Sequence, residues 1–155
     1  MTSSEATGRV TGFFHVAVTA SDLQESLRFY HDGLGFEIAA RNSSSSSART
    51  IWNLDLDRAK IALLRVPGSE VMMELFEFEG IEQHPASSRP CDFGSSHFCV
   101  YVDDAESVWQ RMQGMGYGAR SDGVVTISDG PLAGSKAIYL IDPDGYHVEL
   151  FQRPA

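Results

Sequence analysis

Apolar and polar positions alternate in short runs along most of the chain, and twice the alternation gives way to a helical period. Residues 15–18 (HVAV) and 97–100 (HFCV) read as short strands, and an aspartate follows seven residues after each opening histidine, at Asp22 and Asp104. Leu23, Leu27, Tyr30 and Leu34 then recur at spacings of four, three and four, one face of a helix. Ala105, Val108, Trp109 and Met112 repeat that face further on. Ser21 with Gln24, and Asp103 with Glu106, have the spacing of capping boxes at the helix starts. Gly33 or Gly35, and Gly114 or Gly116, can supply left-handed C-caps, and both stretches close on a Gly-aromatic pair, Gly35-Phe36 and Gly116-Tyr117.

Strand patterns follow each helix. In the first half they cover residues 50–56 (TIWNLDL), 60–66 (KIALLRV) and 70–78 (EVMMELFEF). In the second they cover 124–128 (VVTIS), 136–141 (KAIYLI) and 146–152 (YHVELFQ), with Asp-Pro-Asp-Gly as the tight turn before the last. Each half therefore reads β-α-β-β-β, an α+β pattern written twice. The expected organisation is a flexible N-terminus over 1–12, a first βαβββ module over 13–79, a Pro/Ser/Gly-rich connector over 80–94 and a second module over 95–152, together one structural domain. The serine run 43–47 reads as a mobile loop, and residues 130–134 (GPLAG) as a turn that lacks the lysine of a phosphate-binding loop.

Glu-Leu-Phe occurs twice, at 74–76 and 149–151, each time with the acid inside an apolar run. Strand alternation puts Glu74 on one face with Met72, Phe76 and Phe78, and Glu149 on one face with His147 and Phe151. His15 and His97 occupy matching strand positions, so each half supplies one histidine and one glutamate. A single strand histidine is ordinarily a hydrogen-bonded, half-buried residue; repetition at equivalent places changes the reading. An unpaired buried carboxylate is expensive, and no lysine or arginine adjoins either glutamate. One divalent cation would satisfy two carboxylates and two imidazoles if the two sheets curve round a common cleft. Nitrogen and oxygen donors of this kind suit Ni, Co, Zn, Mn or Fe(II).

Charge narrows the partners. At a net charge of -9 the chain repels nucleic acid and anionic membrane surfaces, which leaves a small molecule as the expected ligand. Cys91 and Cys99 form neither a disulfide framework nor a thiolate metal site, and reduced thiols fit the cytoplasm. Residues 1–10 lack the apolar stretch expected of a secretory signal, and no apolar run is long enough to span a membrane.

In residues 15–36, 71–78, 95–104 and 140–152 the chain resembles the vicinal oxygen chelate superfamily of glyoxalases, methylmalonyl-CoA epimerases, bleomycin resistance proteins and extradiol dioxygenases, with its glyoxalase-I-like branch the nearest pattern. The resemblance implies paired βαβββ modules forming an incomplete barrel around a metal, held by His15, Glu74, His97 and Glu149. It also implies bidentate chelation of a substrate through neighbouring oxygens. Bacterial glyoxalase I has a glutathione-binding arginine where this chain has Thr19 and an asparagine where it has Phe78, which argues against glutathione binding. The expected function is that of a metal-dependent lyase or isomerase in which Glu149 or Glu74 moves a proton. The alternatives are an Fe(II) or Mn(II) extradiol-type dioxygenase of an aromatic or polyketide-like compound, and a non-catalytic protein that binds a drug or metabolite.

Phe76, Phe78, Cys99, Tyr101, His147 and Phe151 are the expected pocket residues, His147, His84, Tyr101 and Tyr139 are the acid–base candidates for the dioxygenase, and Trp52 and Trp109 are read as packing residues. A homodimer is expected, with the metal site either within one chain or shared between swapped chains.

Overall fold

The computed structural model describes residues 8–86 and 88–154. Strand β1 (His15–Thr19) leads into helix α1 (Leu23–Leu27), which continues as a π-helical turn over Arg28–Gly33. Strand β2 (Glu37–Ser44), helix α2 (Ser46–Trp52), β3 (Arg58–Arg65) and β4 (Met72–Glu79) complete the first half. The second half contains β5 (His97–Tyr101), α3 (Ala105–Gly114), the short β6 (Gly118–Ala119) and β7 (Val125–Thr126), a 3-10 turn (Gly130–Leu132), β8 (Lys136–Ile141) and β9 (His147–Gln152).

Both helices start on the repeated aspartate, one residue beyond the capping positions expected from the sequence. Asp22 Oδ1 accepts from the backbone N–H groups of Gln24 and Glu25 at 2.8 and 3.2 Å. Asp104 Oδ1 does the same for Glu106 and Ser107 at 3.1 and 3.2 Å. An extended residue whose carboxylate reaches the free N–H groups of the first turn is a strong N-cap. Ser21 instead donates its backbone N–H to Asp144 Oδ2, at 3.0 Å. Gly35 and Gly116, at φ 79° and 94°, are the glycines that end the helices in the left-handed region.

Two further expectations are corrected. The strand expected over 50–56 does not form; those residues are the end of α2 and a left-handed Asn53 at φ 51°. The expected serine loop is divided between β2 and α2. Strand β3 takes residues 37–44 as its antiparallel partner, with a register shift between Ile38 and Ala40. Helix α2 then buries Ala48 and lays Trp52 over the first sheet. Tertiary pairing here overrides a weak local pattern.

The strands form two open mixed sheets, ordered β1-β4-β3-β2 and β5-β9-β8-β6, with β7 on β8. In each, the first strand of the module runs parallel to the last: Ala17 lies opposite Glu74, and Cys99 opposite Glu149. His15 and His97 therefore sit two residues before the partner of the glutamate in both sheets. Met73 and Leu75 from one sheet and Ile138, Leu140, Val148 and Leu150 from the other join both helices in one shared core.

Between the modules, the Tyr30 hydroxyl donates to Asp142 Oδ2 at 2.8 Å, while Asp142 Oδ1 accepts from the N–H groups of Asp144 and Tyr146. Burial raises the Asp142 carboxyl above its ordinary value and the Tyr30 phenol well above its own. Gly33 lets the π-helical turn approach α3, since a Cβ there would lie 2.6 Å from Met112 Sδ. Tyr30→Phe should lower unfolding free energy by about 1–3 kcal/mol, because a buried carboxylate oxygen loses its donor; chemical denaturation reads the difference. No described helix is long and apolar enough to cross a membrane.

Candidate functional site

The residues repeated in sequence become two equivalent pairs in space. His15 Nε2 lies 3.3 Å from Glu74 Oε2, and His97 Nε2 lies 3.3 Å from Glu149 Oε2. Each pair spans the parallel junction of its sheet. Because Glu74 alternates with Met73 and Leu75, and Glu149 with Val148 and Leu150, both pairs occupy the faces opposite the shared core.

Within one chain the four do not converge. Among the described residues no three His, Cys, Asp or Glu side chains gather where one ion could sit. Of the two arrangements the sequence leaves open, within one chain or shared between swapped chains, a single chain shows two half-sets of one imidazole and one carboxylate. The donor chemistry fits a divalent cation: Nε2 of each histidine is turned toward its glutamate, and His15 Nδ1 is buried with no hydrogen-bond partner.

The surroundings of the two pairs differ. Beside Glu74 the face is aromatic. Phe76 and Phe78 stack with centroids 5.8 Å apart, and Trp52 meets both edge-on at 4.9 and 5.1 Å. Phe78, expected in the pocket, belongs to a small second core with Ala48, Leu56 and Ala59. Trp52 does pack, as expected, and what it covers is this aromatic wall.

Beside Glu149 the face is polar. Arg120 donates its backbone N–H to Tyr139 O, Tyr139 lies opposite Glu149, and Glu149 lies opposite Cys99. These pairings set Arg120, Tyr139, Glu149 and Cys99 in one row across the sheet. The Tyr139 hydroxyl also lies 3.4 Å from His97 Nε2. Burial, then the Glu149 carboxylate, pushes the Tyr139 phenol up to about 12. Cys99 is exposed as a residue, yet desolvation of its sulfur and then the same carboxylate push the thiol up to about 12. Both groups are held protonated at neutral pH, which makes Cys99 the weaker nucleophile of the two cysteines. Alkylation with iodoacetamide at pH 8 should therefore label the exposed Cys91 and spare Cys99, leaving one adduct in the intact mass.

His147, expected to line the cleft, is buried, and its Nε2 accepts from Arg120 Nε at 2.7 Å. Burial, then Arg120, then His97 lower its basicity. Tyr101 is exposed with the Arg153 guanidinium 4.0 Å above its ring, and Phe151 is buried edge-on beneath it. His84 stands with Thr19, Ser21, Ser95 and Tyr146 around a cavity of about 730 Å³ between the end of β1, the connector and the turn before β9. That cavity reaches neither glutamate. Sequence reasoning missed Arg120. Only the register of β8 against its neighbours, invisible in "GYGARSDG", brings it to this face.

A family model described as "Glyoxalase/Bleomycin resistance protein/Dioxygenase superfamily" matches residues 12–150. A 2-epi-5-epi-valiolone epimerase from Actinomyces sp is 32% identical over 146 residues, covering 91% of this chain and 79% of that protein. A lactoylglutathione lyase from Pseudomonas putida is 27% identical, covering 90% and 84%. Among solved structures, a glyoxalase family protein from Bacillus cereus superposes with a TM-score of 0.81 at 16% identity, covering 97% of this chain and 99% of that one. At that identity the likeness speaks for the fold.

Proposed function

This chain belongs to the glyoxalase/bleomycin resistance protein/dioxygenase superfamily, and we propose that within it the chain is a divalent-metal-dependent lyase or isomerase acting on a small oxygenated metabolite. The observation that carries this reading is the pair of His–Glu contacts at equivalent positions of two sheets, each 3.3 Å long. A Ni, Co, Zn, Mn or Fe(II) ion held by His15, Glu74, His97 and Glu149 would supply Lewis-acid polarisation of neighbouring carbonyl and hydroxyl oxygens.

The chain's own residues supply the rest. Glu149 takes a proton from the carbon beside the substrate carbonyl and returns it, with Tyr139 and Cys99 beside it in the same row of the sheet. Glu74 stands in the equivalent place of the other module and serves the opposite face of that carbon. Phe76, buried beside Glu74, keeps water from the reacting carbon. The names of the epimerase and lyase relatives support proton transfer at carbon. Thr19 is exposed and Phe78 is packed under Trp52, which favours a hydroxyketone over a glutathione adduct.

Since each module carries two of the four donors on the face opposite the shared core, the complete set is assembled by two copies of the chain. His15 and Glu74 of one copy meet His97 and Glu149 of the partner subunit, and the dimer holds two such sites.

Proton exchange tests the reading. Protein supplied in turn with each of the five metals is incubated under argon in D₂O with 2-epi-5-epi-valiolone, and separately with lactoylglutathione, and followed by NMR. Deuterium entering the carbon beside the carbonyl of the hydroxyketone is the expected result. No exchange with any metal, or turnover only in a parallel aerobic incubation that takes up oxygen, would contradict it.

A further inference from the structure

We propose that Arg120 forms an anion-binding subsite on the Glu149 face, so that, among oxygenated substrates, one carrying a carboxylate or phosphate group in addition to its chelating oxygens binds more tightly than a neutral hydroxyketone. The inference rests on the function proposed above and narrows its substrate class. Placement, orientation and charge lead to it.

The first is placement. Arg120 is tied through its backbone to Tyr139, which lies opposite Glu149, so the two residues are two strands apart in one lateral row. Neighbouring strands are separated by ~4.8 Å, which puts about 10 Å between the two backbones. A metabolite of a few carbons, reacting beside Glu149, spans that interval with its far end at the guanidinium.

The second is orientation. Arg120 Nε donates to His147 Nε2 at 2.7 Å, and His147 is itself buried in β9. A neutral ring nitrogen thus holds one edge of the guanidinium without neutralising it. The remaining N–H groups form the planar fork that matches a carboxylate or phosphate.

The third is the absence of a competing use. Arg58 and Lys60 are taken up by Glu77 and Glu79, Arg89 by Asp92, and Arg28 by Glu25. Arg49 and Arg111 donate to backbone carbonyls. Among the described residues, no carboxylate forms a salt bridge with Arg120, although the chain carries 21 acidic residues against 12 lysines and arginines. Arg120 is exposed, and Arg9, Arg41, Arg65, Lys136 and Arg153 likewise form no salt bridge among the described residues; Arg120 differs from them in standing beside the proposed reacting groups, where an unpaired cation is a place for the ligand's own charge.

The test uses three chelators of one type: acetohydroxamate, which carries no further anionic group, succinic monohydroxamate with a carboxylate arm, and phosphonoacetohydroxamate with a phosphonate arm. Each is titrated by calorimetry into nickel-loaded wild type, Arg120→Met and Arg120→Lys. At least one anionic probe should bind wild type about 10-fold or more tightly than acetohydroxamate, the lower range for a charge-assisted contact. Which arm wins separates a carboxylate substrate from a phosphate one. In R120M that ratio should fall to about one, and R120K should keep part of it. If Arg120 only positions His147, all three probes weaken together and the ratio survives, which overturns the proposal. Equal binding of the neutral and anionic probes by wild type overturns it as well.

Failure of wild type to bind nickel or acetohydroxamate would instead contradict the metal-dependent function. In that case succinate and methylphosphonate are titrated into the metal-free protein. Binding that R120M weakens 10-fold would still establish the subsite, and binding insensitive to R120M, or none, would reject it.

Discussion

Glu149→Gln lowers turnover of the true substrate by about 10²–10⁴-fold, the contribution expected of a positioned general base. Glutamine keeps the shape, but it takes up no proton. Glu149 is the more enclosed of the two glutamates, with 14% of its side chain exposed against 20% for Glu74, and protonated donors surround it. Glu74→Gln should produce a loss of the same order when the substrate presents its opposite face, and the double substitution should approach the uncatalysed rate. Stopped assays on protein of known metal content check this, because they separate loss of a ligand from loss of a base. Full turnover in both single variants would remove the glutamates from the mechanism.

The second large effect concerns assembly. A chain carrying His15→Ala and Glu74→Gln lacks one half-set, and a chain carrying His97→Ala and Glu149→Gln lacks the other. Neither variant alone should hold metal tightly. A heterodimer of the two, isolated with separate tags, regains one intact site, because the unaltered second module of the former meets the unaltered first module of the latter. One ion per heterodimer and none per homodimer is the expected outcome. If each chain built its own site, both chains of the heterodimer would be defective and nothing would be recovered. Packing dictates this: Met73, Leu75, Val148 and Leu150 join the modules through the faces opposite those that carry the His–Glu pairs.

Much of this was legible in the residues because the sequence repeats itself. The alternation of 72–78 and 146–152, the helical period after Asp22 and Asp104, and the matching places of His15 and His97 all survive in the structure. Residues 37–44 were missed because their polar run, RNSS, has little strand character; β3 makes them a strand by pairing with them. Residues 50–56 misled for the opposite reason. Their alternation of Trp52, Leu54 and Leu56 looks half-buried, yet Leu54 is exposed, and the buried Ala48 and half-buried Trp52 belong to a helix that covers the sheet. The pairing of each histidine with its glutamate could be inferred from repetition. The row from Arg120 to Cys99 could not, since it depends on the register of four strands. Nor could the separation of the two pairs, which follows from which sheet faces the shared core joins.

The central claim is that both modules grip one divalent ion, and calorimetric titration of metal into stripped protein tests it most directly. Ni, Co, Zn, Mn and Fe(II), the last without oxygen, should be tried on wild type and on His15→Ala, Glu74→Gln, His97→Ala and Glu149→Gln. The account predicts uptake of one ion per chain for at least one metal. Every one of the four substitutions should weaken it by at least about 10-fold, the smallest loss typical even of residues that merely support a ligand. No uptake of any metal by wild type, or uptake that substitutions in one module leave unchanged, would contradict it.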